Sequence, residues 1–345
     1  MSLLEIKGLE TEFQTEQGVV KALRGINYTV DRGEVLGIVG ESGSGKSVGM
    51  LSLMGLLAPN GTGTAGEMIF DGEDISPIKY KTKKEKKEYE KKMNQIRGND
   101  ISMIFQDPMS YLNPIVTIEK QMTEGIRFHT KCSKKEAVQR AIELMKMVGI
   151  PAPESRLKQY PFEFSGGMRQ RIIIAIALAC NPKLIVADEP TTALDVTVQA
   201  QILDLLKDIT KESNAGVIII THDLGVVASL CDRISIMYGG NIMEEGTTDE
   251  IFYDPKHPYT KGLLNSIANS NVDHREPLKP IPGTPPDWLK LGDQCPFASR
   301  CSEAMEICTK ASPLVTEFGE THKCKCWLHC KERWHEVWKG EDAYE

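Results

Sequence analysis

The residues GESGSGKS (40–47) fit the full spacing of a phosphate-binding loop. Such glycines let backbone N–H groups curl around phosphate oxygens, and the N-terminus of the following helix adds a favourable partial charge. We expect Lys46 to reach the β- and γ-phosphates and Ser47 to ligate Mg²⁺. A glycine-rich turn with a chance lysine is the alternative, but its context, an apolar run before and a helical pattern after, disfavours it. The predicted phosphate-binding residues are Gly40, Glu41, Ser42, Gly43, Ser44, Gly45, Lys46, Ser47 and Val48.

A second candidate element is LIVADEP (184–190), an apolar strand that ends in two acids. Asp188 is placed to hold Mg²⁺, usually through water, and Glu189 to polarise an attacking water. A strand capped by surface acids would have the same sequence, so the motif alone is only moderately specific. Together with the phosphate loop it predicts hydrolysis of a nucleoside triphosphate.

The third element is FSGGMRQR (164–171), in which Ser165, Gly166 and Gly167 stand just before a helical pattern. Ser165 is the predicted N-cap, and the exposed amides beside it form an anion site. The alternative is a well-capped structural helix. Polar residues elsewhere in the chain favour a functional role for this motif. Gln106 follows the apolar run ISMIF, and His222 ends the apolar run GVIIIT. Asp195 lies in TTALD, just after the two acids.

These motifs are held by short apolar runs that alternate with helical patterns. The runs at 34–40, 183–188 and 216–221 are uninterrupted, as strands buried in parallel sheets are. The last two flank a helical pattern at 196–213, with Ile202 and Leu206 on its apolar face. Such alternation predicts an α/β domain with a largely parallel sheet.

Other stretches depart from this alternation. Residues 117–149 indicate two helices without a strand, inserted into the α/β domain, and the Lys/Glu run at 79–97 is typical of a solvated helix. Beyond residue 253, PKHPYT and KPIPGTPPDW are proline-rich and indicate a linker.

Composition restricts the class of protein. The chain has 345 residues, with 48 acids and 41 bases for a net charge of −7, which disfavours a general nucleic-acid binder. No secretory signal is visible, and the longest apolar stretch, IIIAIALAC, has nine residues where a bilayer needs about 20. We expect a cytosolic chain, or one on the cytoplasmic face of a membrane.

The order of the motifs resembles the nucleotide-binding subunits of ABC transporters, over residues from about 3 to 246. The resemblance implies two such subunits that close head to tail, with Ser165 to Gly167 on the γ-phosphate held by the partner's loop. It implies that His222 contacts the γ-phosphate, that Gln106 senses Mg²⁺ and couples to the membrane subunits, and that Asp195 bridges the dimer. The family stacks an aromatic on adenine, and Phe13 is the candidate here.

Further features resemble the peptide-importer branch of this family. They are FSGGMRQR, with Met168 where glutamine is commonest, FQDP followed by LNP (105–114), DPKHPYTKGLL (254–264) and PGTPP (282–286). We therefore predict a P-loop ABC ATPase domain at 1–255 with a helical subdomain at about 107–168. A linker and a small cysteine-rich domain occupy 256–345.

Six of nine cysteines fall in the last 51 residues, and a reduced cytosolic chain would use such a cluster for metal. Four thiolates suit zinc or an iron–sulfur cluster, and the lack of tight C-x2-C pairs favours the latter. A similar tail in peptide-importer ATPase subunits holds a 4Fe-4S cluster. That resemblance implies Cys295, Cys301, Cys308 and Cys326 as ligands, and leaves Cys324 and Cys330 as extra thiols.

The implied function is an ATPase that powers import of oligopeptides or dipeptides. Its expected partners are two membrane permease subunits, a second ATPase subunit that is homologous but different, and, indirectly, an extracytoplasmic peptide-binding protein. A nickel-chelate importer uses similar subunits. A soluble ABC ATPase of DNA repair or translation is disfavoured by the single phosphate loop and short helical insertion, and a redox sensor by the lack of a second redox motif.

Overall fold

The structure is a computed structural model that describes residues 2–80, 82–105, 111–190, 196–266 and 281–337. Within it the chain forms two compact units. The first unit comprises residues 1–4, 29–35 and 70–220, and the second comprises residues 5–28, 36–69 and 221–345. We use "cysteine-rich segment" for residues 281–337.

The described strands are β1 (Leu4–Thr15), β2 (Gly18–Val30), β3 (Val35–Val39), β4 (Gly61–Phe70), β5 (Glu73–Asp74), β6 (Ile101–Ile104), β7 (Leu184–Asp188), β8 (Gly216–Thr221), β9 (Arg233–Tyr238), β10 (Asn241–Thr247), β11 (Val315–Glu317) and β12 (Lys323–Lys325).

The described α-helices are α1 (Lys46–Leu53), α2 (Lys83–Ile96), α3 (Ile118–Thr130), α4 (Lys134–Met147), α5 (Pro153–Arg156), α6 (Gly166–Ala177), α7 (Val196–Ser213), α8 (Leu224–Leu230), α9 (Thr248–Tyr253), α10 (Pro258–Asn265) and α11 (Glu306–Lys310). None of these helices combines the length and apolarity needed to cross a bilayer.

The first unit is built on a parallel arrangement of β8, β7 and β6, with β7 in the middle. Residues 184–187 of β7 are fully buried, which explains why the strand reads as an uninterrupted apolar run. Helices α3 and α4 pack on each other and on α6, as the predicted helical insertion requires. Only Tyr89, Met93 and Ile96 of α2 are buried, so the lysine run is a solvated helix as predicted.

The second unit contains β3 paired in parallel with β9, and β9 paired antiparallel with β10. Strands β1, β2 and β4 form the core of another sheet in this unit, with β1 between the other two. Helix α1 follows β3 and ends at Leu53, and Gly55 just beyond it has φ 61°.

The cysteine-rich segment adds strands to the second unit. Strand β12 pairs antiparallel with β10, and β11 pairs with β12. A bulge between Ile242 and Glu244 re-aims β10, and the Glu244 side chain is fully buried. Its carboxylate accepts hydrogen bonds from the backbone N–H groups of Lys256 and His257, at 2.6 and 2.9 Å. It also lies 2.8 Å from His322 Nε2, so Glu244 ties β12 to the chain before α10.

Candidate functional site

The phosphate loop runs from the end of β3 to the start of α1. Two of its glycines are required by the loop's path: a Cβ added at Gly40 would clash with the Met237 carbonyl oxygen, and Gly45 has φ 102°. A Cβ at Gly45 would also come within 2.7 Å of the Ala22 carbonyl oxygen. The close approach of β2 and β9 to the loop therefore leaves room for glycine alone.

The predicted lysine points into this loop. Lys46 is buried, and its ammonium group donates hydrogen bonds to the carbonyl oxygens of Gly40 and Glu41, at 2.7 and 2.9 Å. Ser47, the next residue, is exposed. A cation held over a glycine-lined loop at a helix N-terminus is the arrangement that binds phosphate, and an exposed hydroxyl beside it suits Mg²⁺. The residues present therefore fit a Mg-nucleotide.

Two side chains outside the motif also contact the loop, and the sequence analysis missed both. Tyr259 Oη accepts a hydrogen bond from the Glu41 N–H at 3.0 Å, and Arg300 donates to the Glu41 carboxylate at 2.6 Å. They lie 218 and 259 residues from Glu41 in the chain, so no local pattern could have revealed them.

The two acids end β7 in the first unit. Asp188 is 8% exposed, and Glu189 follows with φ 45°, a left-handed backbone that is uncommon for residues other than glycine. The Glu189 N–H donates to the Ile220 carbonyl oxygen at 2.8 Å, and Gln170 Nε2 donates to the Pro190 carbonyl oxygen at the same distance. These bonds hold the acids in a strained turn, as functional residues often are.

The SGG motif also lies in the first unit, at the N-terminus of α6. Ser165 is its N-cap, as predicted, and its hydroxyl accepts a hydrogen bond from the Met168 N–H at 3.3 Å. Ser165 and Gly166 are exposed, and Gly167 is partly exposed. The helix therefore presents an open N-terminus to a ligand or a second molecule. Gln170, one turn into α6, connects this motif to Pro190 beside the acids.

The remaining candidates are placed as follows. His222 is exposed directly after β8, and Asp223 beside it caps α8 through the Gly225 N–H at 2.8 Å. Phe13 lies in β1, with its ring against the backbone of Gly61 in β4. Gln106 and Asp195 lie outside the described residues. Three of the predicted site residues in the second unit are in contact with one another: Lys46 is hydrogen-bonded to Gly40 and to Glu41.

The four predicted cluster cysteines form a second group of candidates. Cys295, Cys308 and Cys326 are buried and Cys301 is half-buried. Burial raises the pKa of the Cys295 thiol to about 12, and the neighbouring Cys308, Cys326 and Cys301 add to the shift. Burial likewise raises the pKa of Cys326 to about 12, with contributions from Cys301 and Cys308.

The charges of the other three candidate thiols thus act on Cys295, and those of Cys301 and Cys308 act on Cys326. The Cys295 N–H also donates to the Cys308 carbonyl oxygen at 2.9 Å. Cys330 is buried too, and its thiol donates to the Cys326 carbonyl oxygen at 3.4 Å. Within the described ranges, no three His, Cys, Asp or Glu side chains converge as ligands of one metal ion do. The donor set, four soft thiols, suits an iron–sulfur cluster in its chemistry.

The glycine loop, its buried lysine and the apolar strand ending in two acids define a P-loop nucleoside triphosphatase. Comparison with known proteins identifies the family within this class. Residues 23–192 match the ABC transporter family model, and residues 243–308 match the model of the oligopeptide/dipeptide transporter C-terminal region.

The chain is similar over nearly its whole length to the oligopeptide transport ATP-binding protein OppD of Bacillus subtilis, with 52% identity covering 94% of this chain and 88% of the relative. It is 47% identical to the dipeptide transport ATP-binding protein DppD of the same organism, covering 98% of both chains.

Among solved structures, a dimeric ATP-binding cassette in a post-hydrolysis state with ADP and Pi matches with a TM-score of 0.61 and 29% identity. The match covers 71% of this chain and 98% of that one. The chain therefore belongs to the family of ABC transporter ATP-binding subunits related to OppD and DppD, and it is an ATPase.

Proposed function

We propose that this chain hydrolyses ATP to drive a membrane importer of oligopeptides or dipeptides. The observation that carries the proposal is the phosphate loop, with buried Lys46, in a chain that is similar over 94% of its length to a peptide-transport ATP-binding protein. Its place is the cytoplasmic face of the membrane, bound to two permease subunits. A second ATPase subunit, homologous but different, completes the assembly, and an extracytoplasmic peptide-binding protein delivers the solute.

Uptake by the assembled complex in vesicles tests the solute. We expect ATP-dependent accumulation of labelled dipeptides or oligopeptides, and no accumulation without ATP. Accumulation of a nickel chelate in place of peptides would contradict the peptide assignment. An active ATPase that associates with no permease subunit would contradict a transport role and favour a soluble ABC ATPase.

We assign the hydrolytic step to side chains of this chain. Lys46 and the loop amides hold the β- and γ-phosphates, and Ser47, Gln106 and Asp188 would hold Mg²⁺, which supplies charge neutralisation at the phosphates. Glu189, fixed by its N–H bond to Ile220, accepts a proton from the attacking water. His222 contacts the γ-phosphate, and Phe13 stacks on the adenine.

The second subunit supplies the other half of each site. Exposed Ser165 and Gly166 and partly exposed Gly167, at the open N-terminus of α6, suit contact with a γ-phosphate held by a partner's loop. We place Asp195 at the subunit boundary. Closure of the pair would then be driven by ATP bound between the two subunits.

Replacement of Glu189 tests the hydrolytic role. In the assembled complex, Glu189→Gln keeps the shape of the side chain but removes the base, so hydrolysis should fall by roughly 100-fold or more while ATP still binds. Exposed Glu212 in α7 is a matched control, and Glu212→Gln should leave turnover unchanged. Unchanged turnover in Glu189→Gln would remove Glu189 from the mechanism.

We further propose that Cys295, Cys301, Cys308 and Cys326 hold one 4Fe-4S cluster. The support is the donor chemistry, together with the effect of the other three thiols on the pKa of Cys295 and of Cys301 and Cys308 on the pKa of Cys326. The cluster would supply fold stability to a small region with little apolar core, as metals do for small domains. Its role is then structural, ordering a surface for a partner subunit.

Metal analysis of anaerobically purified protein tests the cluster. We expect about four iron atoms per chain with matching acid-labile sulfide, the number that this cluster type requires. Cys301→Ser should lose the iron, whereas Cys132→Ser, in the first unit, should retain it. Stoichiometric zinc without iron or sulfide would overturn the assignment.

A further inference from the structure

Arg300 joins the cysteine-rich segment to the phosphate loop. It ends the 3₁₀ turn Ala298–Arg300, between Cys295 and Cys301, and its side chain is only 5% exposed. One guanidinium nitrogen donates to the Glu41 carboxylate at 2.6 Å and to Tyr238 Oη at 3.2 Å. The other two nitrogens donate to the carbonyl oxygens of Pro282 and Ile281, at 3.0 and 3.3 Å. The guanidinium is therefore fixed on one side by the segment and on the other by the loop.

Glu41, the second residue of the loop, is held at three points. Its carboxylate accepts from Arg300, its N–H donates to Tyr259 Oη, and its carbonyl oxygen accepts from Lys46 Nζ at 2.9 Å. A displacement of the Glu41 side chain would therefore move the backbone on which the Lys46 ammonium rests. Glu41 therefore connects the cysteine-rich segment to Lys46, the lysine assigned to the phosphates.

The pairing of Arg300 with Glu41 is costly to break. Burial lowers the pKa of Arg300, but the hydrogen bonds and charges of Glu41 and Tyr238 outweigh it and raise the net pKa, so the side chain stays charged. The Arg300 side chain is 5% exposed and the Glu41 side chain 26%, so the pair is partly shielded from water, and removing one partner would leave the other charge uncompensated. The surrounding rings confine the pair: Tyr238 packs against Tyr259 and Phe297, with ring centroids 4.6 and 5.3 Å away.

A second residue of the segment lies beside the same loop. A Cβ added at Gly43 would stand 3.8 Å from Trp288 Nε1, so the indole is in reach of the loop's outer turn. Arg24 of β2 tethers the segment at a different place, through the carbonyl oxygens of Leu291 and Gly292, at 2.6 and 2.9 Å, and no described bond joins it to the loop. The segment thus has one arginine tether that reaches the loop and one that does not.

We propose that Arg300 is a positioning residue of the ATP site: by holding Glu41 it fixes the loop backbone beneath Lys46, so an intact cysteine-rich segment sets the affinity for Mg-ATP. The inference rests on ATP binding at this loop, as proposed above, and it does not depend on which metal the cysteines hold.

Binding of Mg-ATP to the full-length chain tests this link by titration calorimetry. Arg300→Gln and Glu41→Gln should each weaken binding by about tenfold, the size of an ordinary coupling between neighbouring residues. The double variant should bind no more weakly than either single one, because the two side chains act as a unit. Arg24→Gln removes the same charge from the other tether and should bind as the wild type does.

Further readouts separate positioning from loss of fold. Glu41→Gln lies outside the segment, so it breaks the link without altering the cysteines, and its metal content should equal that of the wild type. Arg300→Lys keeps the charge and should recover most of the affinity. In the assembled complex, Arg300→Gln should raise KM for ATP by about tenfold and leave kcat within about twofold, the signature of lost ground-state binding.

Three results would overturn the inference. They are wild-type affinity in both Arg300→Gln and Glu41→Gln, additive losses in the double variant, or an equal loss in Arg24→Gln. A wild-type chain that binds no Mg-ATP would instead overturn the proposed function, and the inference with it.

Discussion

The phosphate loop and the cysteine-rich segment lie in the same compact unit but are held by different kinds of interaction. The residues that mark the loop are consecutive in the chain: the glycines at 40 and 45, and the lysine that donates to the carbonyl oxygens of Gly40 and Glu41. The segment is held by partners far away in the chain. His322 lies 2.8 Å from Glu244 of β10, and Arg24 of β2 donates to the Leu291 carbonyl oxygen at 2.6 Å.

This difference shows how the cysteine-rich segment can act on the phosphate loop. The loop can be recognised from its consecutive residues, whereas the segment's partners, such as Glu244 and Arg24, lie far away in the chain. Arg300 lies where the two meet, and Glu41 is the one residue of the motif whose side chain it contacts among the described hydrogen bonds. Variants in one region, assayed for their effect on the other, measure how strongly the phosphate loop and the cysteine-rich segment depend on each other.

The largest expected effect comes from the loop itself. Lys46→Ala removes the buried ammonium group that would meet the phosphates, and charge-assisted hydrogen bonds of this kind are strong, so Mg-ATP affinity should fall by roughly 100-fold. The metal content of the cysteine-rich segment should stay unchanged, because the Lys46 ammonium group is bound to the loop through the carbonyl oxygens of Gly40 and Glu41. Titration calorimetry and metal analysis on one sample check both statements. Loss of metal in Lys46→Ala would show that the segment depends on the loop.

The stability of the protein should depend on pH through His257, which precedes the Tyr259 that contacts the loop. Burial, together with the charges of His329 and Lys261, lowers the pKa of His257 from 6.5 to about 3. Below pH 6.5, His257 is therefore protonated in the unfolded chain but stays neutral in the folded chain. The stability from a neutral His257 is complete above that pH and is lost as the pH falls, by about 2 kcal/mol between pH 6.5 and roughly pH 5.

His257→Asn isolates this contribution. His257 caps α10 by accepting a hydrogen bond from the Tyr259 N–H at 2.9 Å, and an asparagine oxygen can accept the same bond without titrating. Denaturant unfolding at several pH values should therefore show a shallower loss of stability towards pH 5 in the variant. His335→Asn, at an exposed position, should follow the wild type. Parallel curves for wild type and His257→Asn would contradict the account.

The smallest expected effect is that of the segment on the loop. Cys301→Ser should lower Mg-ATP affinity by no more than the roughly tenfold expected for Arg300→Gln, because its influence passes through the same side chain. Adding Cys301→Ser to Arg300→Gln should change the affinity little further. A complete loss of ATP binding in Cys301→Ser would show that the two regions are not separable.

Sequence patterns predicted the parts that depend on neighbours in the chain. The strands at β3, β7 and β8, the helix at α7 and the Ser165 cap could all be inferred, because burial and capping leave local signatures. The left-handed backbone of Glu189 could not, because its sequence, ADEP, contains no glycine that would announce it.

The long-range partners were equally invisible in the sequence. Tyr259 and Arg300 resemble ordinary core and surface residues until the fold brings them to Glu41. Glu244 lies at the bulge in β10 and is fully buried, and no local pattern marks it as the partner of His322. The boundary at residue 255 and the roles of Gln106 and Asp195 stay predictions.

The central claim is that this chain binds ATP at its own loop and hydrolyses it only when a second subunit adds its SGG helix. Turnover per chain, measured against protein concentration with and without the second ATPase subunit, tests it most directly. The account predicts slow hydrolysis by the dilute isolated chain, and a steep rise as the concentration increases or the second subunit is added. Full, concentration-independent turnover by the monomer would contradict it.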